Sequence, residues 1–249
     1  MAPRARPDLM AVVLVTGGTR GIGAACVDWF LANGDQVATT YRSDVPSAPA
    51  GADPERFLAV RCDVTRPDEV EAAFATIEAT WGPVEVLVAN AGITKDSLLL
   101  RMSEDAFTEV IDANLTGSYR VAKRALTKML RLHTGRLIFL SSVSAYVGLP
   151  GQANYAASKA GLVGMARAIA REVGSRQITV NVVAPGIVET DMTAALGEDR
   201  MALMTSQVPL GRAGTVADVA SVVGFLASPG AAYVTGAVMP VDGGLGMGL

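Results

Sequence analysis

What most constrains this chain is an alternation: short apolar runs rich in β-branched residues give way, again and again, to longer stretches of helical period. It begins with Val12-Val13-Leu14-Val15, passes to a helical pattern over 22–33 and returns to an apolar run at 36–41. Further strand patterns fall at 57–61, 84–89, 136–140, 178–183 and 237–240. Helical patterns fill the gaps at 68–80, 103–132 (with a break expected near Asn114), 154–173 and 215–227. Parallel strands need long crossovers, and strands apolar on both faces suit a sheet covered by helices on both sides. The expected fold is α/β: a single doubly wound parallel sheet, a Rossmann fold. Residues 1–10 read as a flexible tail and 11–249 as one catalytic domain, with the linker-like stretch 43–54 lying inside the alternation.

Composition narrows the function classes. Half of the 249 residues are hydrophobic and 18% are charged, the balance of a packed soluble globule. A net charge of −3 gives no basic field for a nucleic acid partner. No run approaches the roughly 20 apolar residues of a membrane span, and the N-terminus has no apolar signal core, so the expectation is a cytoplasmic protein with no membrane partner. Two cysteines, Cys26 and Cys62, are too few for a disulfide framework or a four-ligand zinc site and read as buried free thiols; no metal is expected. The single histidine, His133, stands in a polar turn at 131–135, which argues against a Ser-His-Asp hydrolase.

Directly after the first strand comes Thr16-Gly17-Gly18-Thr19-Arg20-Gly21-Ile22-Gly23, opening into a helix. Glycines there let the backbone turn tightly and approach a diphosphate, which the helix N-terminus then stabilises. The second strand ends Thr39-Thr40-Tyr41-Arg42, with no acid at its tip to accept from a ribose 2′-hydroxyl. Arg42 and Arg20 would face an added 2′-phosphate, so NADPH (or NADP+) is the expected cofactor, with Asp44 as the one contrary sign. Asp63-Val64 after the third strand and Asn90-Ala91-Gly92 after the fourth lie at the strand ends where such a sheet binds its ligand.

The richest segment is Ser141-Ser142-Val143 followed by Gln152-Ala153-Asn154-Tyr155-Ala156-Ala157-Ser158-Lys159. Tyr155 and Lys159, four apart, share a helix face. A nearby ammonium favours the phenolate, so Lys159 is expected to lower the Tyr155 pKa and make the pair an acid/base unit. Ser142, just past a strand, is placed to donate to an oxygen gaining negative charge. Taken singly, each residue has an ordinary structural explanation.

Together with the glycine turn and Asn90-Ala91-Gly92, these residues resemble the short-chain dehydrogenase/reductase family over about 12–244, with Ala89 standing where the family pattern has an extra Asn. The resemblance implies that Asn114 is a fourth catalytic residue at a helix kink, holding a water that links Lys159 to solvent. It further implies that Lys159 holds the cofactor ribose, and that in Pro185-Gly186-Ile187-Val188-Glu189-Thr190-Asp191-Met192 the Val188 backbone and Thr190 hold the nicotinamide carboxamide. The segment about 190–213, with Met192, Leu196, Met201 and Met204, would be the substrate lid, though methionines at that spacing serve packing equally well.

The segment 151–161, Glu189-Thr190-Asp191-Met192 and Val241-Asp242-Gly243-Gly244 resemble the 3-oxoacyl-[acyl-carrier-protein] reductases of bacterial fatty acid synthesis, and the terminal 245–249 their actinobacterial branch. That resemblance implies NADPH-dependent reduction of a 3-oxoacyl thioester, bound to carrier protein or CoA, by a homotetramer. It implies carrier docking at Arg176, in a patch with Lys128, Arg131 and Arg136, while His133 stands at a second position that is often basic. Reduction of a polyketide intermediate or another ketone uses the same four residues and stays open. A cofactor sensor without chemistry would need only the glycine turn.

Overall fold

The computed structural model describes residues 10–43, 45–190 and 197–247. Seven strands form one all-parallel sheet: β1 (Val12–Val15), β2 (Gln36–Tyr41), β3 (Phe57–Arg61), β4 (Val86–Ala89), β5 (Gly135–Leu140), β6 (Ile178–Pro185) and β7 (Val238–Val241). Their order across the sheet is β3-β2-β1-β4-β5-β6-β7. The order reverses between β1 and β4, which opens a crevice beyond their C-terminal ends.

The helices are α1 (Gly21–Ala32), α2 (Pro67–Thr80), α3 (Glu104–Ile111), α4 (Gly117–Leu132), the short α5 (Ser144–Val147), α6 (Ala153–Val173), α7 (Glu198–Thr205) and α8 (Val216–Ala227). Alternate strand residues feed two cores. Val12 and Leu14 pack under α2, α4 and α6, whereas Val13 and Val15 pack under α1 and α8. Two-sided burial explains why the strands read as unbroken apolar runs. Arg124 of α4 fastens α4 to α2, with a forked pair to Glu78 at 2.8 and 2.9 Å and a third bond to Glu71 at 2.7 Å.

The break expected near Asn114 is a wide π turn, Asp112–Thr116, that joins α3 to α4 without ending the helix. Such turns insert a residue into the helical ladder and recur at functional sites. Cys26 and Cys62 are both free and buried, and burial pushes each thiol up to about 12. No helix among the described residues is long and apolar enough to cross a membrane.

Candidate active site

The glycine turn links β1 to α1 at the crevice. Gly17 has φ +65°, and a Cβ there would meet the Ala91 backbone at 3.0 Å; one on Gly23 would lie 2.3 Å from the Gly17 carbonyl oxygen. The turn is clamped from both neighbouring strands. Asn90 Nδ2 donates to the carbonyls of Thr16 (3.0 Å) and Gly17 (2.9 Å), while Thr16 Oγ1 accepts from the amides of Asn90 and Ala91. From β2, Thr40 Oγ1 accepts from Gly17 N and Thr39 Oγ1 from Gly18 N, each at 3.0 Å. The sequence reading missed Thr39 and Thr40; two adjacent threonines closing an otherwise apolar strand are the signal that would have found them. The N-cap of α1, Arg20, offers no side-chain cap, and the first turn carries no acid. Its amide donors are left for an anion.

A cavity of about 300 Å³ runs from this turn across the strand ends. At one end it is lined by Thr19, Arg20, Arg42, Asp63, Val64 and Thr65, and at the other by Gly92, Ile93, Ser141, Tyr155, Lys159, Pro185 and Thr190. Gly17, Gly21, Ile22, Gly23, Asn90 and Ala91 line it between. Gly186 and Val188, expected at the cofactor, are not part of that lining. Gly186 packs against Asp242, where a Cβ would come within 2.6 Å of the Cα, and Val188 is buried and bridged to Gly214. Burial alone would raise the Asp63 carboxyl, but bonds from Thr65 and the charges of Arg42 and Arg66 hold it below the usual range. The glycine turn, the uncapped helix and this elongated crevice suit a dinucleotide diphosphate with a sugar-base unit on either side.

Tyr155 and Lys159 rise from the first turns of α6 on one face, with the Lys159 Nζ 5.6 Å from the Tyr155 ring centre. The Nζ donates to the Leu140 carbonyl at 2.7 Å and is buried. Two neighbouring bonds hold α6 here: Ser141 Oγ to the Lys159 carbonyl (2.8 Å) and Asn154 Nδ2 to the Ala106 carbonyl of α3 (3.1 Å).

The expected lowering of the Tyr155 pKa by Lys159 does not occur. Burial pushes the phenol up to about 12; the hydrogen bond with Ser142 pulls it back in part, and Asp96 adds to the rise. The physical reason is mutual: burial also draws the Lys159 ammonium down to about 8, and that ammonium is aimed at Leu140. Tyr155 is thus a protonated phenol throughout the neutral range, the form a proton donor needs.

Asn114 is wholly buried behind this group and does not line the cavity. Its Oδ1 accepts from Ile93 N at 2.8 Å, and its Nδ2 donates to the Ile93 carbonyl and to Ser158 Oγ, both at 3.0 Å. Its own carbonyl accepts from Ser118 Oγ at 2.7 Å. Ser158 donates onward to the Tyr155 carbonyl at 2.7 Å, a link that the sequence reading missed.

Arg136 and Arg176 stand elsewhere. Arg136 is the second residue of β5, at its N-terminal edge, and Arg176 follows the far end of α6. At about 1.5 Å per residue, the 21 residues of α6 put Arg176 roughly 30 Å from its own Tyr155. Arg176 Nη1 lies 2.6 Å from His133 Nε2, and Arg136 bonds the Gln177 carbonyl at 3.3 Å, so the three basic side chains do gather at one edge. In the expected lid, Asp191, Met192 and Leu196 lie outside the described residues, as does Asp44, while Met201 and Met204 belong to α7. No cluster of metal-ligating side chains occurs among the described residues.

Comparison with known proteins agrees with this geometry. A family model described as "Enoyl-(Acyl carrier protein) reductase" matches residues 17–246, and the chain belongs to that family of short-chain dehydrogenases/reductases. It is an oxidoreductase of the kind that works with a nicotinamide dinucleotide. Over 242 residues it is 52% identical to the 3-oxoacyl-[acyl-carrier-protein] reductase MabA of Mycobacterium tuberculosis, covering 97% of this chain and 95% of that one. The 3-oxoacyl-[acyl-carrier-protein] reductases FabG of Salmonella typhimurium and Escherichia coli are 45% and 44% identical over 240 residues, 95% of this chain and 97% of each.

Proposed function

We propose that this protein reduces a 3-oxoacyl thioester, carried on acyl carrier protein, to the 3-hydroxyacyl thioester in fatty acid synthesis, with NADPH as reductant. The observation that carries this reading is the meeting of Tyr155 and Lys159 at the wall of the crevice, a phenol that burial keeps protonated with the Lys159 Nζ 5.6 Å from its ring centre. Proteins similar along nearly the whole chain bear the matching name.

The reduced nicotinamide, when bound, supplies the hydride. The protein's share is to hold and charge the carbonyl. Ser142 and Tyr155 donate to the ketone oxygen, drawing charge toward it as the carbon is attacked. Tyr155 then releases its phenolic proton to that oxygen, and Lys159, buried beside it, holds the cofactor ribose. Thr190 and the Val188 backbone hold the carboxamide. Asn114, at the π turn, links the proton relay to solvent. Arg20 and Arg42 face the 2′-phosphate, favouring NADPH.

In this reading the protein is a homotetramer of cytoplasmic subunits. The exposed apolar side chains Phe107, Tyr119 and Leu132 on α3 and α4, and Phe225 and Tyr233 at and beyond α8, suit such contacts. Arg136 and Arg176 are too remote to serve their own subunit's site, so carrier docking there delivers substrate to a neighbouring subunit.

The test is NADPH oxidation by purified protein with an acetoacetyl thioester, a 2-enoyl thioester, a polyketide-like thioester and an unactivated cyclic ketone. Turnover greatest with acetoacetyl thioester supports the proposal. Preference for the enoyl or polyketide-like substrate replaces it with that activity, and turnover of none returns the chain to a cofactor sensor.

A further inference from the structure

We propose that Arg61 selects the cofactor: its guanidinium completes, with Arg20 and Arg42, a three-cation cradle for the 2′-phosphate. This rests on the NADPH reading above. Arg61 is the last residue of β3, and its register partner is Tyr41, the last residue of β2. In a parallel pair both residues stand at the C-terminal edge, where the cavity opens. Arg61 Nε reaches across to the Arg42 carbonyl at 3.4 Å, a long bond that lays the guanidinium on the strand tip without consuming its other donors.

Arg61 is exposed and makes no ion pair among the described residues, whereas its neighbour Arg66 pairs with Asp68 at 3.6 Å. The described carboxylate nearest this edge, Asp63, already feels Arg42 and Arg66. In a chain of net charge −3, Arg20 and Arg42 line one end of the crevice with Asp63 as the one carboxylate of that lining, and Arg61 stands beside Arg42 at the strand edge. A phosphate dianion suits such a set, because a guanidinium can give it two parallel donors. Arg42 and Arg20 line the cavity directly; Arg61 stands behind Arg42, adding charge and steadying its backbone.

The experiment measures equilibrium dissociation constants of NADPH, NADH, 2′,5′-ADP and 5′-AMP by calorimetry, for the wild type, Arg61→Gln, Arg61→Lys and Arg42→Ala. Arg61→Gln is expected to weaken NADPH and 2′,5′-ADP about three- to tenfold, as for the loss of one exposed charge-assisted contact, and to leave NADH and 5′-AMP unchanged. Arg61→Lys should recover part of that loss, and the salt dependence of NADPH binding should be shallower in Arg61→Gln. If Arg42→Ala erodes the NADPH preference and Arg61→Gln does not, the role of Arg61 is overturned while the NADPH reading stands. If the wild type binds NADPH and NADH alike and Arg42→Ala changes neither, both fall together.

Discussion

Asn114 Nδ2 donates to Ser158 Oγ at 3.0 Å, tying the π turn to the helix that carries Tyr155 and Lys159. Ser158 in turn bonds the Tyr155 carbonyl, so one buried hydroxyl joins the π turn to the start of α6. Ser158→Ala would leave an Asn114 amide proton without a partner in a closed interior. The expected cost is about 1–3 kcal/mol of stability, read as a lower urea midpoint with unchanged slope. Because Asn114 and Tyr155 are both released, kcat should fall while NADPH affinity is kept. An unfolding midpoint equal to that of the wild type would show that the link carries no weight.

Much of this was legible along the chain. The expected strand bounds for β1, β2 and β3 coincide with those in the structure, because apolar period and flanking glycines are local signals. The π turn was read only as a break near Asn114, since its form depends on Ile93 and Ser158, 21 and 44 residues away. Tyr155 and Lys159 were legible as neighbours on one helix face. The sign of their electrostatics was not, because spacing says nothing of how deeply α6 buries both groups. Arg136 and Arg176 show the same limit: their charge is visible in sequence, but the direction of β5 and α6 puts them at the opposite edge from the site.

Burial of Lys159 gives stability a pH signature. The folded pKa of about 8 lies below the ordinary 10.5, so between those values the unfolded chain holds more protons and stability rises with pH. Below pH 8 the full cost of a buried ammonium is present. Lys159→Met should therefore be more stable than the wild type at pH 7, by up to about 3 kcal/mol less what the orphaned Leu140 carbonyl costs. The gap should close as pH approaches 10.5. Tyr155 acts in the opposite sense: its raised pKa of about 12 makes stability fall above pH 10, where the unfolded phenol ionises first. Urea titrations of both proteins from pH 6 to 10.5 measure the difference, and a gap independent of pH would contradict the burial of a charged Lys159.

In the proposed reaction Ser142 and Tyr155 divide one task, and their variants should differ in kind. Tyr155→Phe removes the proton donor but keeps the ring, so NADPH binding should persist while kcat falls at least about 100-fold. Ser142→Ala leaves the donor and takes away its polarising partner, with an expected loss of about 100- to 1000-fold in kcat. Near wild-type turnover by Tyr155→Phe would exclude Tyr155 as the acid.

Carrier docking provides a test of the assembly itself. Arg176 sits with His133 at the far end of α6, so in the proposed tetramer a carrier held there would serve a neighbouring subunit's site. Arg176→Glu should raise KM for a carrier-bound 3-oxoacyl substrate about tenfold or more, since the carrier is acidic and the new charge repels it. KM for the same acyl group on a small thiol should not move, because that substrate needs no docking surface. Mixing an Arg176→Glu subunit with a Tyr155→Phe subunit then separates cis from trans delivery. Each parent is defective on carrier-bound substrate, and a mixed oligomer regains activity only where an intact Arg176 on one subunit faces an intact Tyr155 on the next. Recovery on mixing, in proportion to heterologous contacts, is the expected result; its absence, with mixed oligomers shown to form, would mean that each carrier serves the site of its own subunit.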